Sequence, residues 1–166
     1  MPELPTLALL SPRCSPWAPH QPSALARSVR LELPLERFRL GLQTYLDADG
    51  VARLSRARAD VVVLDLRNAP EPRALMLPPV RRAAPRARLI VLGPARDEAL
   101  ADCAVRMGAF AYLSGESASE TLGQALIDSC QGDVLYSPTG KRALINLAQR
   151  RRPHAEPERL AAERVA

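Results

Sequence analysis

The sequence predicts an α/β fold, a five-stranded parallel sheet with helices on both faces. Five short apolar runs alternate with stretches of helical periodicity, the pattern that right-handed crossovers turn into a parallel sheet. The central run, Val61 to Leu64, is apolar without alternation, as expected of a strand buried on both faces. That run ends in Asp65, at the carboxyl edge where open α/β sheets collect ligands and chemistry.

The elements follow in order. Thr6 to Leu10 (TLALL) reads as the first strand, stopped by Ser11-Pro12. Prolines at 12, 16, 19 and 22 make the next stretch loop, since each fixes φ and removes a donor. From Ser23 a helix is favoured, with Ser23 as N-cap, Leu25, Val29 and Leu33 on one face and Pro34 as a break. The rival reading is an alternating strand through Val29, Leu31, Leu33 and Leu35. Gly41 to Asp47 is the better second strand, closed by Asp49-Gly50, and Val51 to Ala57 makes a short helix.

After the central strand, Glu71 to Ala84 is interrupted by Pro78-Pro79, so its helix is short or irregular. Arg88 to Leu92 is the fourth strand, stopped by Gly93-Pro94. Asp97 to Met107 is an amphipathic helix with Leu100, Ala104 and Met107 in phase and Gly108 past its end. Phe110 to Leu113 is the fifth strand. Ser117 to Cys130 is a helix opened by a Ser117–Glu120 capping pattern. Tyr136-Ser137-Pro138 leads into a last helix through about Arg150, and the polar stretch 151–166 is expected to be mobile. The domain division expected is 1–135 for the α/β unit and 136–166 for a linker helix and basic tail.

With 166 residues, 47% of them hydrophobic, the chain is long enough for one sizeable core. No apolar run approaches the ~18 residues needed to span a bilayer. The N-terminus lacks a basic region and carries Glu3, a poor secretory signal. Cys14, Cys103 and Cys130 are isolated and odd in number, which argues against a disulfide framework or zinc site and for a reducing cytoplasm. The net charge of +5 is uneven: +3 over residues 1–59, −2 over 60–140 and +4 over 141–166. Because Arg is used almost to the exclusion of Lys, alongside much Ala and Pro, the bias reads as GC-rich coding as readily as phosphate binding.

Four stretches in this order, VVVLDLRNAP, APRARLIVLGP, ALADCAVRMGAFAYL and SASETLGQALIDSCQGDVLYSP, resemble the receiver domain of NarL/LuxR-type response regulators, over about Leu42 to Asn146. The resemblance implies a flavodoxin-like sheet of order 2-1-3-4-5 with an extra C-terminal linker helix, and Asp65 as phospho-acceptor. It also implies helpers. The family holds Mg²⁺ with acidic residues after the first strand, hydrogen-bonds the phosphoryl group with a Ser/Thr after the fourth, and neutralises it with a Lys after the fifth. Bringing two anions together depends on such positioning and charge.

Each helper position departs from the pattern. Ser11 and Pro12 stand where the acidic pair belongs, Gly93 where the Ser/Thr belongs, and Gly115, followed by Glu116, where the Lys belongs. Asp65 is therefore expected to be a carboxylate without a fixed positive partner, in a degenerate pseudo-receiver that is no enzyme and needs no cofactor or metal. Arg67 is the one nearby cation; it faces Asp65 only if the strand continues that far.

The family dimerises through the helix after the fourth strand, the fifth strand and the helix that follows. Tyr112 and Phe110 on the fifth strand read as core and as part of that face, and Tyr112 and Met107 are the interface candidates there. Arg150, Arg151 and Arg152 are candidates for nucleic-acid contact, against the simpler account of a helix end favouring cations. Ser114 to Ser117 could hold an anion at a helix N-terminus, though an ordinary capped loop fits as well. His20 and His154 lie in Pro-rich stretches away from any acid-base partner, and no GxGxxG, P-loop, GxSxG or HExxH motif is present. In the family a helix-turn-helix domain follows the linker; fewer than thirty residues follow the start of the linker helix here, so a receiver without an output domain is expected. Three functions compete: a phosphorylation-independent interaction module in signalling or transcriptional regulation, a conventional regulator phosphorylated on Asp65, and a DNA-associated protein using its Arg-rich tail.

Overall fold

In the computed structural model the described residues are 4–12, 37–115, 118–131, 135–136 and 138–151. They form strands β1 (Thr6–Ser11), β2 (Arg39–Tyr45), β3 (Val61–Asp65), β4 (Arg88–Gly93), β5 (Ala111–Ser114) and β6 (Leu135–Tyr136). The helices are α1 (Ala48–Ala57), α2 (Leu77–Ala83, led in by a 3₁₀ turn at Arg73–Met76), α3 (Glu98–Arg106), α4 (Ala118–Gln131) and α5 (Pro138–Arg151). The strands make one sheet of order β2-β1-β3-β4-β5-β6, parallel throughout. This is the expected flavodoxin-like order with one addition. β6 pairs with β5 through Ala111 and Tyr112, where the sequence reads only a turn, since two residues are too few to show a period.

Alternation along β3 divides the core. Val62 and Leu64 face a cluster that includes Leu54 of α1, Leu77 and Val80 of α2, Leu100 and Ala104 of α3 and Ala143 of α5. Val61 and Val63 face the opposite cluster, with Leu7, Leu9, Ile90, Leu92 and the α4 residues Leu122, Ala125 and Leu126. The helix expected from Ser23 lies outside the described residues, as do His20 and His154.

One local expectation changes. Asp49-Gly50 does not close a strand: it belongs to the first turn of α1, because Asp47 is the N-cap and its Oδ1 accepts from Gly50 N at 2.8 Å. Gly50 is required there, since a Cβ would run into the Tyr45 carbonyl. The helix carrying Pro78-Pro79 is short, as expected: α2 has seven residues behind a 3₁₀ turn, and both prolines sit in its first turn, where the missing N–H groups have no intrahelical acceptor to lose. Arg81 ties the lower rim together: its guanidinium donates to the carbonyls of Met107, Ala87 and Gly108 at 2.7–3.0 Å.

α5 lies back on the domain. Thr139 Oγ1 donates to the Ala95 carbonyl at 3.1 Å, Ala143 is buried in the core and Leu147 packs beside it. The helix thereby covers α3 and reaches β5. Leu144 and Ile145 remain exposed on it.

Candidate functional site

The carboxyl ends of β1, β3, β4 and β5 bring Ser11, Asp65, Gly93 and Gly115 to one edge of the sheet. Asp65 is the ionisable group among them. The β3–β4 ladder pairs Asp65 with Leu92, and the pairing runs one step further as Leu66 N donates to Leu92 O at 2.8 Å. Because the chain is still extended there, the residue two along returns to the same side. Arg67 does so. Its Nε reaches Asp65 Oδ1 at 2.9 Å and its Nη2 reaches Oδ2 at 2.8 Å, while its backbone N donates to Oδ1 at 3.2 Å.

The expectation of a solitary carboxylate is therefore overturned. Both Asp65 oxygens are engaged by one planar fork, the geometry in which guanidinium matches carboxylate. The hydrogen bond to Asp65 holds the Arg67 guanidinium above its ordinary pKa, against the opposing effect of burial and with the help of the Asp65 charge. With the two side chains 15% and 26% exposed, water screens the pair, and its stabilising effect is about 1 kcal/mol or less. Its chemical effect is larger than its contribution to stability: a fixed cation already occupies the anion's face.

Gly93 and Gly115, the other positions singled out at this edge, carry no side chain. A Cβ at Gly93 would collide with the Tyr112 phenol and crowd Leu100. Tyr112, read as core as well as an interface candidate, is fully buried in the core, where the missing side chain at 93 leaves room for its ring. Its Oη lies 3.4 Å from the Asp97 carbonyl. Burial first, and then the Asp97 charge, hold its pKa far above the usual phenol value, with Arg73 pulling weakly the other way. Met107, the other interface candidate, is half-buried past the end of α3 and packs on the same core. Gly115 has φ +87, a left-handed backbone that strains any side chain, a Lys included. Glu116 and Ser117 lie outside the described residues, as does Arg152; Arg150 is exposed on the last turns of α5 and Arg151 ends it.

A second ionic cluster, not anticipated from the sequence, joins the β3–α2 and β4–α3 loops. Arg73 Nη1 reaches Glu71 Oε1 at 2.9 Å and Asp97 Oδ2 at 3.2 Å, while Asp97 Oδ1 caps α3 by accepting from Leu100 N at 2.9 Å. The Arg73 Nε is buried with no hydrogen-bond acceptor. Its signal in the sequence, Asp97 as the residue before a helical run, identifies the cap but not the arginine that crosses to it. Among the described residues no group of three or more His, Cys, Asp or Glu side chains is placed to hold a metal ion. No helix among them is long and apolar enough to cross a membrane.

No protein-family model matches this sequence, and none of the curated proteins matches it. Solved structures do. The isolated REC domain of RcsB from Salmonella enterica serovar Typhimurium, in the presence of the phosphomimetic BeF3⁻, is similar at 14% identity and a TM-score of 0.63, covering 85% of this chain and 99% of that one. A two-component response regulator of the LuxR family from Aurantimonas sp. is 21% identical with a TM-score of 0.63, covering 89% of this chain and 99% of that one. The non-phosphorylated receiver domain of the stress response regulator RcsB from Escherichia coli is 15% identical with a TM-score of 0.61, covering 81% and 99%. At these identities the likeness establishes the fold: a receiver-type α/β sheet.

Proposed function

We propose that this chain is a receiver-like signalling module that acts through protein contacts in the cytoplasm, without phosphorylation of Asp65 and without catalysis of its own. The observation that carries the reading is the Asp65–Arg67 fork. A phosphoryl donor must approach a carboxylate oxygen, and here both oxygens accept from one guanidinium. Gly93 and Gly115 supply no hydroxyl and no ammonium to the incoming phosphoryl oxygens, so nothing at those positions stabilises the transfer. A degenerate site of this kind leaves the fold available as a binding surface. A partner, or a second copy of the chain, that approaches α3 and β5 meets α5 and its exposed Leu144 and Ile145.

The test compares the full chain with and without acetyl phosphate and Mg²⁺, by light scattering and by hydrogen exchange. The two states are expected to superimpose in mass and in protection. A donor-dependent change in oligomeric state, or in protection at the ends of β3, β4 and β5, would show a conventional response regulator instead.

A further inference from the structure

The two edges of the sheet carry opposite charge. The carboxyl edge gathers Asp47, Asp49, Asp65, Glu71, Asp97 and Glu98; of its described arginines, Arg67 and Arg73 are paired to acids and Arg96 alone is exposed without one. At the amino edge, where β2, β3 and β4 begin, Arg39, Arg56, Arg58, Arg82, Arg86 and Arg88 are all exposed. Among the described residues Asp60 is the exposed acid beside them, and its Oδ2 is taken up by Thr6 N at 2.7 Å.

A coding bias toward Arg would scatter these residues over the whole surface; it does not sort them by edge. Helix ends explain part of the sorting, since Arg56 and Arg82 lie in the last turns of α1 and α2, where the macrodipole favours cations. They do not explain Arg39 and Arg88, which open strands, or Arg86 in the turn before β4. Arg58 sits past α1 at φ 46, a backbone position better suited to glycine.

The edge is concave. A cleft of about 990 Å³ opens between the end of α1, the start of β3 and the 83–88 turn, lined in part by Ser55, Arg58, Asp60, Arg86, Arg88 and Cys130. Among the described residues no carboxylate pairs with Arg58, Arg86 or Arg88. The Arg88 guanidinium lies 5.9 Å from the centroid of the Phe110 ring, which restricts it without neutralising it.

We propose that this amino edge binds the phosphodiester backbone of a nucleic acid, without reading its sequence. The extent of the stripe favours a polymer over a compact phosphate. From β2 across β1 and β3 to β4 is three strand intervals, about 14 Å. At about 3.4 Å per residue along one strand of a duplex, that is a run of about four phosphates. An anionic membrane fits less well, because three of the large exposed apolar side chains, Leu75, Leu144 and Ile145, lie on other elements, leaving only Leu4 near this edge among the described residues.

The test is fluorescence anisotropy of the full chain with a labelled 20-base-pair duplex between 50 and 200 mM salt. The chain is expected to bind, with affinity falling as salt rises. The variant R58A/R86A/R88A is expected to bind at least tenfold more weakly at 50 mM salt, its salt slope flattened by about 0.9 for each phosphate that is no longer neutralised. Ser55→Glu, which puts a carboxylate on the cleft wall and removes no arginine, weakens binding in the same direction. Circular dichroism shows both variants folded, and R150A/R151A/R152A keeps most of the affinity. The proposal is overturned if the wild type shows no salt-dependent binding, or if the triple cleft variant binds like wild type. It is equally overturned if the tail variant accounts for the whole loss, if micromolar ATP displaces the duplex, or if phosphatidylglycerol vesicles bind and the duplex does not.

Discussion

The phenol of Tyr112 fills the space in which any side chain at Gly93 would have to sit. Gly93, at the end of β4, carries no side chain, and the aromatic ring of β5 is built into the core in the space beside it.

Gly93→Ser is therefore expected to destabilise the chain by about 1–3 kcal/mol, the usual cost of overpacking a filled core. The urea midpoint falls and the tyrosine near-ultraviolet signal changes as the ring moves. In a Tyr112→Leu background, where the collision is relieved, the same substitution costs less than half as much. Equal costs in both backgrounds would mean the two residues are not coupled.

Tyr112 also sets a pH dependence. The fold favours its neutral phenol, so the folded chain keeps a proton that the unfolded chain releases near its ordinary value of about 10. Its contribution to stability is fully present below that pH and is lost as pH rises above it toward the higher folded value. An absorbance titration at alkaline pH should find one of the three tyrosines silent until the chain unfolds. Tyr112→Phe should remove that component and flatten the decline in stability above pH ~10. A Tyr112 that ionises with the folded chain intact would contradict its burial.

The docking of α5 predicts an asymmetry between its faces. Ala143→Glu places a carboxylate in the core contact with α3, and amide exchange in α5 is expected to quicken at least tenfold, about 1.4 kcal/mol of local stability. Leu144→Ala, on the exposed face, should change global stability by no more than about 0.5 kcal/mol. Equal effects would show that the helix is not seated through Ala143.

Much of the architecture was legible because it depends on local pattern. The unbroken apolar run Val61–Leu64 marked the central strand, and the phase of Leu100 and Ala104 marked α3; both lie in the core as read. Boundaries that depend on one side chain closing a turn were not legible. Asp47 reads equally as the end of a strand or the cap of a helix, and only its bond to Gly50 N decides. The sequence placed Gly93 and Gly115 at strand ends on the carboxyl edge, but not what packs around them. Arg67 falls beside Asp65 only because the strand stays extended through Leu66, a fact of pairing with β4. The burial of Tyr112 depends on a glycine in the neighbouring strand, and the Arg73–Asp97 pair spans 24 positions. No periodicity reports such contacts.

The most direct test of the central claim is acyl-phosphate formation at Asp65, measured by intact-protein and peptide mass spectrometry after incubation with acetyl phosphate and Mg²⁺, with Asp65→Asn as control. The fork with Arg67 predicts that wild type and control each keep their own unmodified mass, with no phosphoryl increment, and that Arg67→Ala does not restore uptake, because Gly93 and Gly115 offer neither hydroxyl nor ammonium to a phosphoryl group. A stoichiometric phosphoryl adduct on Asp65 of the wild type, absent from the control, would contradict it.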